Sequence, residues 1–104
     1  MRAGLWVAGL LGGAAMAGTP DPGQVAVGDQ LYRQLCQRCH GYRLQTSGAA
    51  SFDLRRFPAG DRRRFHDAVM HGKDQMPAHD DILTDEDVAA LFAYVVATQR
   101  ELTR

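Results

Sequence analysis

Two cysteines with two residues between them, and a histidine directly after the second, occur in this chain at Cys36-Gln37-Arg38-Cys39-His40. One helical turn presents both sulfurs and the imidazole to a single flat ligand, and C-x-x-C-H is the attachment pattern of a c-type haem. The thiols add across the two vinyl groups of the porphyrin, and the histidine is carried back over the ring face to the iron. Other uses of these residues fit less well. A zinc site wants four ligands, and two cysteines with one histidine leave it short. A thioredoxin-like dithiol needs a βαβ pattern around it, which is missing here.

The start of the chain bears on the same chemistry. Met1-Arg2 is a short positive segment, Ala3 to Ala14 is small and apolar, and Ala15-Met16-Ala17 is an A-x-A cleavage signature. Residues 1–17 therefore read as a secretory signal peptide cut after Ala17. The apolar run is too short for a stable membrane anchor, and no cysteine at the cut suggests a lipoprotein. Export to the periplasm suits a protein whose haem is attached outside the bacterial cytoplasm. In that oxidising compartment the cysteines could instead pair, although so short a loop would be labile rather than a structural staple.

At 104 residues the precursor holds one domain. Residues 18–24, rich in Gly, Pro and Asp, read as a flexible leader, and residues 25–104 as the domain. A core this small is marginal alone, and a covalently held haem is a suitable staple. Twelve basic residues balance twelve acidic ones, which gives no case for nucleic-acid binding. The charges are segregated. Arg55, Arg56, Arg62, Arg63 and Arg64 crowd one segment, and Asp80, Asp81, Asp85, Glu86 and Asp87 another. Solvated faces and helix caps account for this, or else a dipole that orients the protein on a partner.

No strand signal appears anywhere and the periodic stretches are helical, so the expected class is all-α. A first helix is expected from Val25 or Ala26 into Cys36, with Gly28, Leu31, Tyr32 and Leu35 at helical spacing and Gly41 as the stop. Residues 41–60 show no period and read as a loop wrapping the porphyrin. Asp61 caps a short helix that Gly72 ends. Thr84 with Asp87 resembles a capping box opening a last helix, whose Val88, Leu91, Phe92, Val95 and Val96 carry it to about Gln99.

His40 is the expected proximal ligand, its other ring proton going to a carbonyl in residues 42–54. Arg55 or Arg56 is a candidate propionate partner. The distal candidates are Met70, Met76, His66, His71 and His79. Met76 is preferred because it lies between helices and directly before Pro77, which restricts it to extended backbone. Met70 falls on an apolar helix face, where a gap-filling methionine is expected, and His66 and His71 read as exposed. Thioether ligation would raise the reduction potential.

Cys36-Gln37-Arg38-Cys39-His40-Gly41 followed by Met76-Pro77 resembles class I monohaem cytochromes c over residues 25–99. The resemblance implies a small all-α fold, three main helices and long loops around one covalent haem c, held by Cys36 and Cys39 and ligated by His40 and Met76. It also implies that the first and last helices cross at right angles, with Gly28 and Tyr32 against Leu91, Phe92 or Tyr94. The Gly-Pro-Leu that many members carry after the haem motif is missing. The segments 72–78, 83–95 and 52–58 are similar to small cytochromes that accept electrons from quinoprotein alcohol dehydrogenases. The implied function is a periplasmic one-electron carrier and not an enzyme. It would accept electrons from a dehydrogenase and pass them to an oxidase or another cytochrome. A haem enzyme or gas sensor with a labile sixth ligand, or a permanently docked dehydrogenase subunit, are the alternatives.

Overall fold

A computed structural model describes residues 20–48 and 51–104; the expected signal peptide lies outside the described residues. Among the described residues four α-helices and two 3₁₀ turns follow one another: α1 Pro22–Leu35, α2 Gln37–His40, turns at Tyr42–Leu44 and Leu54–Arg56, α3 Arg62–His71 and α4 Asp85–Leu102. Among the described residues there is no strand, only an isolated antiparallel bridge between Lys73 and Met76.

Helix α1 begins earlier than its apolar period suggests. The Asp21 carboxylate accepts from Gln24 N at 2.9 Å, and Pro22 occupies the first turn, where its missing N–H costs nothing. Pro22–Gln24 are thus helical, a correction to the expected leader of residues 18–24. The chain pivots at Cys36 (φ −115°, ψ −33°) into the short α2, which Gly41 ends at φ 89°.

The box at the start of α4 forms as expected: Asp87 N donates to Thr84 Oγ1 at 3.1 Å, and Thr84 N to Asp87 Oδ2 at 2.9 Å. Asp85, Glu86 and Asp87 fill the first turn, where carboxylates favour the positive end of the helix dipole. The helix runs three residues past Gln99, to Leu102. It is the centre of the core, burying Val88, Ala90, Leu91, Phe92, Tyr94, Val95, Val96 and Thr98.

Packing then sets the two faces of α4. Towards α1, Gly28 lies against the Ala90 carbonyl and Tyr94, and Tyr32 stacks on Tyr94 with ring centroids 5.0 Å apart. Phe92 belongs to a different contact. It meets Phe65 at 5.0 Å and Phe57 at 6.3 Å, joining α4 to α3 and to the loop before it. One wide apolar helix thus carries the haem-motif helix on one side and the aromatic loop on the other.

Candidate haem site

The site is built around the pivot between α1 and α2. Cys39 N and His40 N both donate to Cys36 O, at 3.1 and 2.9 Å, so the motif forms a single helical turn. Cys36 is half-buried and Cys39 exposed, and the two are not joined to each other. Before the sulfur is bonded to haem, burial, with a smaller contribution from Cys39, pushes the Cys36 thiol up to about 11.

The segment after the motif is held from three directions. The Tyr32 hydroxyl donates to Gly41 O at 2.5 Å. Arg43 and Leu44 adopt left-handed backbone (φ 50° and 69°), which buries Leu44 completely. Left-handed geometry costs about 1–2 kcal/mol for such a residue, and burying a leucine returns about 1.5–3 kcal/mol. Arg43 also reaches Glu101 at 2.7 Å. The chain then comes back so that Phe52 O accepts from His40 Nδ1 at 3.0 Å. This acceptor lies within the expected residues 42–54. With Nδ1 donating, the neutral imidazole keeps its Nε2 lone pair free for a metal.

Met76 sits in a tight turn. Lys73 N donates to Met76 O at 3.1 Å and Met76 N to Lys73 O at 2.9 Å, around Asp74 at φ 54°. Gly72, at φ 82°, allows the approach, since a Cβ there would lie 2.8 Å from Met76 O. The half-buried Met76 side chain packs against the same core cluster as Cys36. Two thiols on one turn, an imidazole with a free Nε2 and a soft thioether make a donor set that fits a c-type haem.

The family profile described as "Cytochrome C oxidase, cbb3-type, subunit III" matches residues 23–95, a stretch that includes the C-x-x-C-H motif and Met76. The chain belongs to this cytochrome c family. Its haem is of the covalently attached c type, and electron transport is its field of chemistry.

The cytochrome is similar to the quinohemoprotein alcohol dehydrogenase ADH IIB of Pseudomonas putida, 37% identical over 86 residues. That match takes in 80% of this chain but only 12% of the dehydrogenase. It is also similar to cytochrome c55X of Paracoccus denitrificans, 29% identical over 94 residues, or 88% of this chain and 91% of that one. No solved structure matches significantly. Among the described residues no helix is long and apolar enough to cross a membrane.

The other candidate ligands of the cytochrome have different surroundings. His66 lies at the surface, with Nε2 2.8 Å from Asp85 Oδ1 and Nδ1 3.5 Å from Asp67 Oδ1. Those bonds, Asp85 first, raise its pKa, and they engage both ring nitrogens, so neither is turned towards a metal. His79 is tied back to α3: its backbone N and its Nδ1 both donate to Val69 O, at 3.0 and 3.2 Å. Met70 packs on the core from α3, and His71 is exposed. Arg55 is spent on Asp53, with two contacts at 2.9 and 2.8 Å, whereas Arg56 makes no ion pair among the described residues. The bonds of Gln99 to Leu54 O and Phe57 O, both 2.8 Å, and the Arg64 guanidinium over Phe57 at 4.9 Å had no signature in the sequence.

Proposed function

We propose that the protein is a periplasmic one-electron carrier with His40 and Met76 as axial ligands and Cys36 and Cys39 as the covalent anchors. When bound, the haem supplies the one-electron couple at its iron. The chain's own residues set how that couple behaves. His40 is oriented by its bond to Phe52 O and presents Nε2. Met76, a soft thioether held in the Lys73–Met76 turn, favours the reduced state and so a higher potential. With both residues committed, no open position is left for a small molecule, which favours outer-sphere transfer over catalysis. The observation that carries this reading is the single turn Cys36–His40, with both motif N–H groups on Cys36 O and a histidine whose Nδ1 is bonded to Phe52 O and whose Nε2 is free.

The donor is proposed to be a quinoprotein dehydrogenase and the acceptor an oxidase or another cytochrome. A second reading, a subunit that stays docked on its dehydrogenase, has support from the likeness to one part of a quinohemoprotein alcohol dehydrogenase. Salt separates the two: a transient electrostatic complex dissociates at high ionic strength, and a docked subunit copurifies.

Met76→Ala tests the ligation. It is expected to change the visible spectrum, lower the potential and let the reduced protein bind carbon monoxide. A variant with the wild-type spectrum and potential refutes the Met76 assignment. Export after Ala17 predicts a mature chain that begins at Gly18, read by N-terminal sequencing.

A further inference from the structure

We propose that Gln99 is a positioning residue for His40, acting through the carbonyl of Phe52. The proposal rests on the reading of His40 as an iron ligand. Gln99 lies on the inner side of α4, in a stretch where Leu91, Val95 and Val96 are buried and apolar and Thr98 is the other polar residue turned inward. Its amide nitrogen has two protons. One goes to Leu54 O and the other to Phe57 O, both at 2.8 Å. These two carbonyls bracket the 3₁₀ turn Leu54–Arg56, so a single side chain, 45 and 42 residues away in sequence, grips both ends of that turn.

Phe52 enters the turn two residues before Leu54, and its orientation is passed along by short bonds. The Asp53 carboxylate accepts from Arg55 N at 3.1 Å and from the Arg55 guanidinium. The Phe52 ring meets Phe57 edge-on at 6.0 Å. Arg64 lies over both rings, at 5.9 and 4.9 Å. With Leu54 and Phe57 pinned to α4, the segment that carries Phe52 is anchored just after it, and Phe52 O meets His40 Nδ1 at 3.0 Å. A bond of this kind fixes the tautomer and orientation of a ligating imidazole and raises its basicity. Leucine at position 99 would satisfy packing equally well. Glutamine adds only the two donors, and both are used.

The test is Gln99→Leu in the haem-loaded protein. Removing the donors leaves Phe57 O unpaired and Leu54 O with only its bond from Phe57 N, and it frees the turn from α4. The His40 Nδ1 proton, followed by nitrogen-15 NMR, is expected to exchange with solvent about five- to tenfold faster, the equivalent of about one lost hydrogen bond. The reduction potential is expected to rise as the imidazole becomes a weaker donor. Val88→Ala, buried on the same helix three turns earlier, lowers stability without touching the turn and is expected to move neither quantity. A Gln99→Leu protein that loses stability but keeps wild-type exchange and potential overturns the proposal. Should that variant not fold, the wild-type holoprotein decides. Both Gln99 amide protons are expected to be protected, and exchange at the rate of a free side chain overturns the inference. A His40 ring without a paramagnetic shift in the oxidised wild type would overturn the ligand reading itself. A shifted ring that ignores Gln99→Leu overturns the positioning role alone.

Discussion

Replacing Gly28 by alanine puts the contact between α1 and α4 to a direct test. A Cβ at position 28 would collide with the Ala90 carbonyl oxygen and would stand 2.7 Å from its carbon and 2.8 Å from Tyr94 Cβ. The obstacle is backbone, so no side-chain rotation relieves it, and α1 must shift away from α4. Overpacking of this kind costs about 1–3 kcal/mol, and a rigid partner argues for the upper end. Alanine returns up to about 1 kcal/mol of helix propensity over glycine. The net loss is about 2 kcal/mol, which for a domain of this size lowers Tm by roughly 8–16 °C. Thermal unfolding of the haem-loaded protein, followed by circular dichroism, measures it. Gly60→Ala is the control, because a Cβ there meets nothing within 4 Å. If Gly28→Ala melts at or above the wild-type temperature, propensity outweighs the clash and the packing argument fails.

Tyr32→Phe removes the donor to Gly41 O and leaves that carbonyl half-satisfied. A loss of about 1–2 kcal/mol in denaturant unfolding is expected, and an unchanged midpoint would show that the hydroxyl contributes nothing. Burial also holds the Tyr32 phenol well above its usual range, so no Tyr32 ionisation should appear in ultraviolet titration of the folded protein up to pH 11. His66 has a raised pKa because Asp85, and then Asp67, favour its charged form. Its contribution is therefore fully present below the unfolded value of about 6.5 and is lost as pH rises through the higher folded value. The difference in Tm between wild type and Asp85→Asn should shrink on going from pH 5.5 to pH 8.5, and a constant difference refutes the pairing.

The features that could be read from the sequence share a physical character. The C-x-x-C-H turn, the Thr84–Asp87 box, the Asp61 cap and the Gly72 stop are local, each set by one residue type at one spacing. Gly28 was legible because only a missing side chain permits two helix backbones so close. The start of α1 was misread, although a signal was present: Asp21 before Pro22 is a cap followed by a first-turn proline, and the neighbouring glycines concealed it. The remainder had no residue-type signature. Phe52 serves His40 with a backbone atom, which any residue possesses. Arg43 and Leu44 are not residues that favour left-handed backbone, and they adopt it because Leu44 has a buried destination. The bonds of Gln99 span more than forty residues, beyond the reach of any periodicity.

The consecutive left-handed residues at Arg43 and Leu44 bear on the order in which the molecule comes together. In an extended chain nothing favours that corner. Its reward comes from the pocket that receives Leu44 and from Glu101, 58 residues further on. Closing so long a loop is entropically slow, whereas the five residues from Cys36 to His40 need only their own backbone bonds to curl. The segment that covers the histidine therefore locks late, after the C-terminal helix has docked. Until then the chain keeps Cys36 and Cys39 open to approach, and haem attachment has its window before that segment closes.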